Sequence, residues 1–480
     1  MPRRYLVQTF GCQMNVHDSR RIEEVLEADG YVPAEEPALA DVIVVNTCSV
    51  REKAEHKLMS LLGRYRPLKE ERPKLLLAVA GCVAQQEGER LLERANHVDV
   101  VIGPDNIPEL SALLRDADGG APPVARTVFD DDAPEFLVAT PRRPVEGVAR
   151  PEVTAFVTTM KGCDERCTYC IVPYTRGSER YRPAAEMVAE VKSLVAGGVR
   201  EITLLGQTVN SWSDPSEAKD RRADSRFAEL LYRIADDVPD LARLRYTSPH
   251  PRHVTSALVL AHRELDVLPA HVHLPVQSGS DRLLKRMLRR YSREEYIERA
   301  RLLLGARPGF TLSTDIIVGF PGETDEDFEL TLSLVREVGF VAAFGFKYSP
   351  RPYTPALRLG DDVPEAVKSE RLQRLFEVVE AQQGRHLAGL VGTRTRVLVE
   401  GPSRSGKGRF SGRSARHEIV HFDADGFDPT GAILEVEIVE AHRHSLLGVL
   451  VPGSADRPLE PRKVRPTSPP ASPVRLPIAR

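Results

Sequence analysis

The sequence predicts an α/β protein that combines two parallel-sheet units with a small antiparallel β-barrel, and three observations lead to this class. Short runs rich in Val, Leu and Ile alternate with helical patterns over residues 5–348, as in βαβ units. From about residue 389 to 451 the apolar residues follow the two-residue period of antiparallel strands. The length of 480 residues exceeds one hydrophobic core, so we expect several domains.

The composition is that of an ordinary soluble protein, with 41% hydrophobic and 28% charged residues. A formal net charge of −3 gives no overall nucleic-acid footprint, so any RNA contact must come from local patches. The amino terminus has no secretory pattern, and the longest apolar run, residues 75–84, is about half a membrane span. We therefore expect a cytoplasmic protein without membrane contact.

The first region contains three isolated cysteines, each at the end of a predicted strand. Its apolar runs cover residues 5–10, 41–48, 74–82 and 98–103, with helical patterns between them. Cys12, Cys48 and Cys82 fall at the carboxyl ends of the first three runs. Because the carboxyl ends of parallel strands converge on one crevice, we predict that the three share a metal site. The alternative is three buried structural thiols.

A second series of strands and helices follows a segment rich in Pro and Asp. Its predicted strands cover residues 153–159, 201–206, 243–248, 270–276, 310–320 and 340–348. Six such units predict a partial (β/α)6 barrel, with an active site at the carboxyl ends of the strands. Polar candidates there are Gln207, Asn210, Gln277 and Asp315, for each of which a loop or core role is the alternative.

The remaining cysteines, Cys163, Cys167 and Cys170, form a C-x3-C-x2-C cluster after the first of these strands. Structural zinc takes four ligands, usually from two CxxC pairs, and no second pair follows here. Three thiolates on a [4Fe-4S] cluster leave one iron open to an exogenous ligand. The spacing therefore favours a cluster whose open iron binds the amino and carboxylate groups of a cofactor.

The segment MKGCDERCTYCIVPYTRG resembles the signature of radical S-adenosylmethionine (SAM) enzymes as it occurs in the methylthiotransferase family. Further motifs of that family are TFGCQMNVHDS, NTCSVREKAEHK, AGCVAQ, ITLLGQTVNSW, HLPVQSGSDRLLKRM, STDIIVGFPGETDEDF and FKYSPRPYTPA. The resemblance extends over about residues 5–450, and these motif sequences are most similar to those of the members that modify tRNA.

The resemblance implies two [4Fe-4S] clusters and SAM as cofactors. Cys163, Cys167 and Cys170 would hold the SAM-binding cluster, and Cys12, Cys48 and Cys82 an auxiliary cluster. Cleavage of SAM would give a 5′-deoxyadenosyl radical that takes hydrogen from C2 of N6-isopentenyl adenosine at position 37 of tRNA. Sulfur from the auxiliary cluster, methylated by a second SAM, would then be transferred to that carbon.

The implied partners are a tRNA that carries isopentenyl adenosine, a reducing electron donor and a sulfur donor that the sequence does not identify. We expect the enzyme to act as a monomer. The polar strand-end residues would contact SAM; these are Gln207, Asn210, Gln277 and Asp315.

The carboxyl-terminal region resembles the family's RNA-binding TRAM domain. Its segment 403–416, SRSGKGRFSGRSAR, is basic and rich in glycine, which suits phosphate contact; a merely solvated charged face is the alternative. Arg413 and Arg416 are the candidate RNA contacts. The predicted organisation is a methylthiotransferase domain (1–118), a linker (119–150), the radical SAM core (151–385), the TRAM-like domain (386–452) and a disordered tail (453–480).

Some residues differ from the family pattern, and other functions stay open. Asp164, Tyr353, His417 and His421 stand where the family often has Asn, Gly, Asn and Asn. The target could instead be a threonylcarbamoyl adenosine or a ribosomal-protein aspartate. A non-catalytic, metal-containing RNA-binding protein is the alternative from another class.

Overall fold

The computed structural model describes residues 2–49, 54–129, 136–138, 152–217, 226–404, 406, 408–424 and 426–453. It contains a parallel-sheet domain, two further parallel sheets surrounded by helices, and a closed five-stranded barrel. The predicted fold class is confirmed. Among the described helices, none has the length and apolar character needed to span a bilayer.

The amino-terminal domain is a six-stranded parallel sheet in the order β2-β1-β3-β4-β5-β6. Its strands are β1 (Arg4–Phe10), β2 (Val32–Pro33), β3 (Val42–Thr47), β4 (Leu76–Gly81), β5 (Val100–Ile102) and β6 (Val124–Arg126), and its helices are α1 (Gln13–Ala28), α2 (Ala54–Glu71), α3 (Cys82–Glu87), α4 (Glu89–Arg94) and α5 (Leu110–Asp118). Strands β3 and β4 are buried throughout, because apolar clusters cover both faces of the sheet.

The sequence-based domain boundary at residue 118 is too early. Strand β6 lies within the segment expected to be a linker, residues 119–150, and pairs in parallel with β5. Val124 and Ala125 pack against the apolar clusters on the two faces of the sheet, so this short segment completes the domain. Most of the segment after residue 129 lies outside the described residues.

The central region has the six principal strands where the sequence predicts them. Its strands are β7 (Thr154–Thr158), β8 (Met160–Lys161), β9 (Arg180–Tyr181), β10 (Glu201–Leu205), β11 (Arg243–Tyr246), β12 (His271–His273), β13 (Thr311–Val318) and β14 (Ala342–Lys347). Its helices are α6 (Val172–Thr175), α7 (Ala184–Ala196), α8 (Phe227–Asp237), α9 (Ser256–Glu264), α10 (Asp281–Arg286), α11 (Arg293–Leu304), α12 (Asp325–Val338) and α13 (Glu365–Ala388). The principal strands form two parallel sheets, in the orders β11-β10-β7 and β12-β13-β14. Strands β8 and β9 form a short antiparallel pair.

The two faces of the central strand β13 differ in chemistry. On β13, Leu312 and Ile316 belong to the large apolar core that the helices cover. Because side chains alternate along a strand, Ser313 and Asp315 point to the opposite, interior face. The interior face of β13 therefore carries polar side chains at these two positions.

The carboxyl-terminal barrel docks on the amino ends of the central strands. Its strands are β15 (Arg394–Pro402), β16 (Phe410–Ser414), β17 (Ile419–Phe422), β18 (Ile433–Ala441) and β19 (Leu446–Leu450), closed in the order β15-β16-β17-β19-β18. Arg245 in β11 donates to the carbonyl of Ser414 at 3.1 Å. His417 stacks on His271, the first residue of β12, with ring centroids 6.1 Å apart. The cysteine loops lie at the opposite, carboxyl ends of the strands. The predicted tail after residue 453 lies outside the described residues.

Candidate metal centres

The amino-terminal cysteines lie at the carboxyl edge of three neighbouring strands. Cys12 precedes α1 directly after β1, Cys48 follows β3, and Cys82 opens α3 after β4. The Sγ atoms of Cys12 and Cys48 are 4.0 Å apart. Gly11 permits this approach, since a Cβ there would lie 2.5 Å from the Cβ of Cys48. The strand-end argument therefore predicted the approach of Cys12 to Cys48, and the metal site shared by all three cysteines stays a prediction.

A buried arginine from the central region lies beside these thiols. Arg176 Nη2 is 2.5 Å from Asp18 Oδ2, and both side chains are more than nine-tenths buried. Although burial opposes it, Asp18 and the thiols of Cys82 and Cys12 raise the pKa of Arg176 well above its usual value. The hydrogen bond from Cys48, aided by Arg176, lowers the pKa of Cys12 to about 6 against the effect of burial. This environment favours the thiolate, which is the metal-binding form of cysteine.

The second cysteine set occupies the loop after β8. Cys163 Sγ is 3.1 Å from Thr208 Oγ1, and Arg289 Nη1 donates to Cys167 Sγ at 3.4 Å. Burial raises the pKa of Cys163 to about 11 and that of Cys170 to about 12. The protein alone therefore keeps these two groups as thiols at neutral pH, and a bound cation must supply the charge that releases their protons.

The two cysteine sets adjoin each other. Helix α6 begins two residues after Cys170 and contacts α3, whose first residue is Cys82. Arg176, directly after α6, is the residue that lies beside Cys12 and Cys82. Both sets therefore border one junction between the amino-terminal domain and the central region.

Two of the four predicted SAM contacts follow β10, and their environments differ. Gln207 has a buried amide whose nitrogen and oxygen find no hydrogen-bond partner among the residues that the structure describes. Asn210 is wholly buried; its Nδ2 donates to the carbonyl of His250 at 3.0 Å, and its Oδ1 accepts from the backbone N–H of His250 at 2.7 Å. The amide of Asn210 thus fixes the loop after β11, whereas that of Gln207 is available to a ligand.

The other two predicted SAM contacts lie on the second sheet. Gln277 follows β12 and has a φ of +73°. Its backbone N–H donates to the carbonyl of Asp315 at 2.9 Å. Asp315 lies on the interior face of β13, and its Oδ1 is 3.3 Å from His273 Nε2. Asp315 therefore faces the interior of the central region, and the backbone of Gln277 lies beside it.

Sequence reasoning missed a polar cluster that holds the second cysteine loop. Glu165, between Cys163 and Cys167, has its Oε1 2.7 Å from His253 Nε2 and its Oε2 4.0 Å from His250 Nε2. His250 Nδ1 accepts from the backbone N–H of Arg252, so Nε2 carries the proton of the neutral ring and has no lone pair for a metal. Glu165 therefore anchors the cysteine loop through its hydrogen bond to His253, and only its position inside the cysteine motif could have indicated this.

The candidate RNA contacts lie at the other end of the central strands. Arg413 Nε is 3.0 Å from Glu400 Oε1, and Arg416 Nε is 3.0 Å from Glu418 Oε1. The side chains of the two arginines are 31% and 25% exposed. The structure thus places both near the domain junction and away from the cysteine loops.

Comparisons with known proteins identify both α/β regions. Residues 4–103 match the family described as "Uncharacterized protein family UPF0004", and residues 157–335 match the Radical SAM superfamily. A curated relative from Sorangium cellulosum (strain So ce56), tRNA-2-methylthio-N(6)-dimethylallyladenosine synthase, is 60% identical over 488 aligned positions, which cover 97% of this chain and 98% of the relative.

Two solved structures of the radical SAM methyltransferase TsrM from Kitasatospora setae share the fold. The structure with cobalamin and a [4Fe-4S] cluster has a TM-score of 0.52 and 17% identity, over 74% of this chain and 77% of that chain. The structure with tryptophan and a SAM analogue has a TM-score of 0.51 and 16% identity, over 74% and 75%. Together with the near-complete match to the curated relative, these findings show that the chain belongs to the radical SAM family of tRNA-2-methylthio-N6-dimethylallyladenosine synthases.

Proposed function

We propose that the protein is a radical SAM methylthiotransferase that adds a methylthio group to C2 of N6-isopentenyl (dimethylallyl) adenosine at position 37 of tRNA. The identity of 60% over nearly the full length of both chains supports the activity and the substrate. The structural observation that carries the proposal is the meeting of two cysteine sets at one domain junction, with Arg176 reaching from one loop to the other set.

The residues present suit two [4Fe-4S] clusters. Each set offers three sulfurs, the number that leaves one iron open. Thr208 and Arg289 hydrogen-bond to sulfurs of the second set, and such contacts tune bound clusters. When bound, a reduced cluster together with SAM supplies the radical chemistry that an inert aromatic C–H bond requires and that acid–base side chains cannot provide.

Among the candidate SAM contacts, Gln207 is supported by its buried, unpartnered amide. Leaving such a group unpaired costs about 1–3 kcal/mol, so a ligand that pairs with it gains affinity. Gln277 and Asp315 stay candidates at the rim of the same interior. Asn210 contributes by positioning the loop after β11.

The proposal includes tRNA binding by the carboxyl-terminal barrel. Arg413 and Arg416 use Nε in their pairs with glutamate, so the pairing orients each guanidinium while its outer nitrogens can contact phosphate. The enzyme would act as a cytoplasmic monomer that takes electrons from a reducing partner and sulfur from a donor of unidentified nature.

The test is anaerobic reconstitution followed by reaction with SAM, reductant and isopentenylated tRNA, with the product nucleoside identified by mass spectrometry. We expect 2-methylthio-isopentenyl adenosine and about eight irons per chain. Replacing Cys12, Cys48 and Cys82 with alanine should leave about four irons. Zinc in place of iron, or product only on threonylcarbamoyl adenosine, would contradict the proposal.

SAM binding tests the role of Gln207 separately. Gln207→Ala should weaken SAM binding to the reconstituted protein roughly tenfold, because the ligand loses a buried hydrogen-bonding partner. Gln373→Ala, on the exposed side of α13, is the matched control. Equal SAM affinity in both variants would remove Gln207 from the site.

A further inference from the structure

Two phenylalanines on β14 lie open to solvent inside the protein's central region. Phe344 is 57% exposed and Phe346 is 46% exposed. Gly345, between them, faces α13, because a Cβ there would lie 2.6 Å from Leu372 Cδ1. Since side chains alternate along a strand, both phenyl rings point to the interior face.

The neighbours of Phe344 confirm this orientation. Phe344 lies opposite Asp315 of β13, and its ring centroid is 5.8 Å from that of His273 on β12 in an edge-to-face arrangement. His273 in turn contacts Asp315. The three side chains therefore share one face of the sheet, with an aromatic ring beside a carboxylate.

Phe346 continues this face towards the second cysteine set. It lies opposite Ile317 of β13, and Ile317 packs on the apolar cluster that Tyr169 also contacts. Tyr169 stands between Cys167 and Cys170 in the sequence. An uncovered apolar wall thus leads from the interior up to the cysteine loop.

We propose that Phe344 and Phe346 receive the dimethylallyl chain of the substrate adenosine and so determine substrate specificity. The inference rests on the proposed function. Burial of exposed phenyl rings under an apolar group is favourable because it removes apolar surface from water. A branched hydrocarbon chain is such a group. The dimethylallyl chain is attached through N6 to C6 of adenine, and C6 and C2 are atoms of the same six-membered ring. A chain held on this wall therefore keeps C2 close to the cysteine loop.

Charge supports the same occupant. The Asp315 carboxylate lies opposite Phe344 and is 28% exposed. A threonylcarbamoyl group or a protein aspartate would bring a second carboxylate beside it, and like charges repel in such a partly buried site. A neutral hydrocarbon chain meets no such penalty.

The experiment compares two anticodon stem–loops, one with isopentenyl adenosine and one with unmodified adenosine, on the reconstituted holoenzyme. The wild-type protein should bind the isopentenylated RNA roughly tenfold more tightly. Phe344→Ala combined with Phe346→Ala should bring the ratio of the two dissociation constants close to one, and should lower kcat/KM for the isopentenylated RNA roughly 10- to 100-fold. Phe427→Ala removes a 48% exposed phenyl ring from the carboxyl-terminal barrel and is the matched control.

The outcomes separate the inference from the proposed function. If the double variant keeps the wild-type ratio, or binds both RNAs equally less well, the rings do not recognise the dimethylallyl chain and the inference is wrong. If the wild-type enzyme makes no methylthio product, the proposed function fails instead. Should the double variant not fold, the single variants Phe344→Leu and Phe346→Leu give the same ratio test, and an unchanged ratio in both overturns the inference.

Discussion

At the residue scale, Arg176 does most to connect the two cysteine sets. It follows α6, the short helix after Cys170, yet its guanidinium pairs with Asp18 and lies beside Cys12 and Cys82 of the other domain. Three thiolates in a buried site carry a large negative charge, and a buried cation reduces its cost. Arg176 therefore stabilises the domain contact and would also stabilise the proposed auxiliary site.

Replacing Arg176 with glutamine should impair the auxiliary site more than the SAM-binding site. The change leaves Asp18 as an uncompensated buried charge, which costs about 3–5 kcal/mol of stability. We expect iron content after anaerobic reconstitution to fall from about eight to about four per chain. Arg166→Gln, at a 53% exposed position paired with Asp164, is the control, and full iron content in the Arg176 variant would contradict this role.

Glu165 gives a second prediction at this scale. Its carboxylate ties the loop of Cys163 and Cys167 to His253, and this hydrogen bond, working against burial, lowers the pKa of Glu165. Glu165→Ala should leave the half-buried His253 Nε2 without its acceptor and cost about 1–3 kcal/mol in loop stability. The measurement is the rate of iron loss to a chelator: we expect faster loss from the SAM-binding site, and Asp164→Ala should be near wild type because Asp164 is exposed.

At the element scale, the turn between β16 and β17 joins the carboxyl-terminal barrel to the central region. His417 in this turn has a φ of +79° and stacks on His271. Burial, and then the charge of Arg245, lowers the pKa of His271 to about 3 and that of His417 to about 2. Arg243 and further cations surround the pair, so both rings must be neutral for the barrel to dock.

This pair predicts a loss of stability in mild acid. The folded pKa values lie below the unfolded value of about 6.5, so the unfolded chain binds more protons. The contribution of the two neutral histidines to the free energy of unfolding is complete above about pH 6.5. It decreases as the pH falls towards the pKa values of the folded state. Between pH 7 and 5.5 we expect a loss of about 1 kcal/mol per histidine.

The variant His417→Asn tests the origin of this acid sensitivity. Asparagine tolerates a positive φ and does not titrate, so about half of the predicted loss should disappear. Urea unfolding at pH 7 and pH 5.5 measures it. His444→Asn, at an exposed position, is the control. If His417→Asn unfolds with the same pH dependence as the wild type, the histidine pair is not the source.

The strands could be predicted from the sequence, and so could the position of three cysteines at the carboxyl edge of the amino-terminal sheet. The contacts between domains could not. Buried parallel strands appear as apolar runs, and a residue just after such a run must lie at the carboxyl edge, which is why Cys12, Cys48 and Cys82 could be placed together. Strand β6 (Val124–Arg126) has only two apolar residues and follows a stretch rich in Gly and Pro, so it gives no apolar run. The pairing of Glu165 with His253 joins residues 88 positions apart, and local pattern does not report such a contact.

At the scale of the whole molecule, the cysteine sets and the carboxyl-terminal barrel occupy opposite ends of the central strands. The cysteines border the junction with the amino-terminal domain, while the β16–β17 turn contacts Arg245 and His271 at the amino ends. An RNA whose modified base reaches the cysteine loops must therefore extend along the central region to touch the barrel. Because the net charge is −3, its backbone contacts depend on particular cations.

Salt dependence of tRNA binding tests whether Arg413 and Arg416 are among those cations. The slope of log K against log salt concentration reports the number of phosphates neutralised, at about 0.7–0.9 per contact. We expect Arg413→Ala and Arg416→Ala each to reduce the slope by about that amount with the reconstituted protein and full-length tRNA. Arg443→Ala, at a 71% exposed position paired with Glu380, is the control. An unchanged slope with a lower melting temperature would assign both arginines to the domain junction alone, since their pairs with Glu400 and Glu418 would then be their whole contribution.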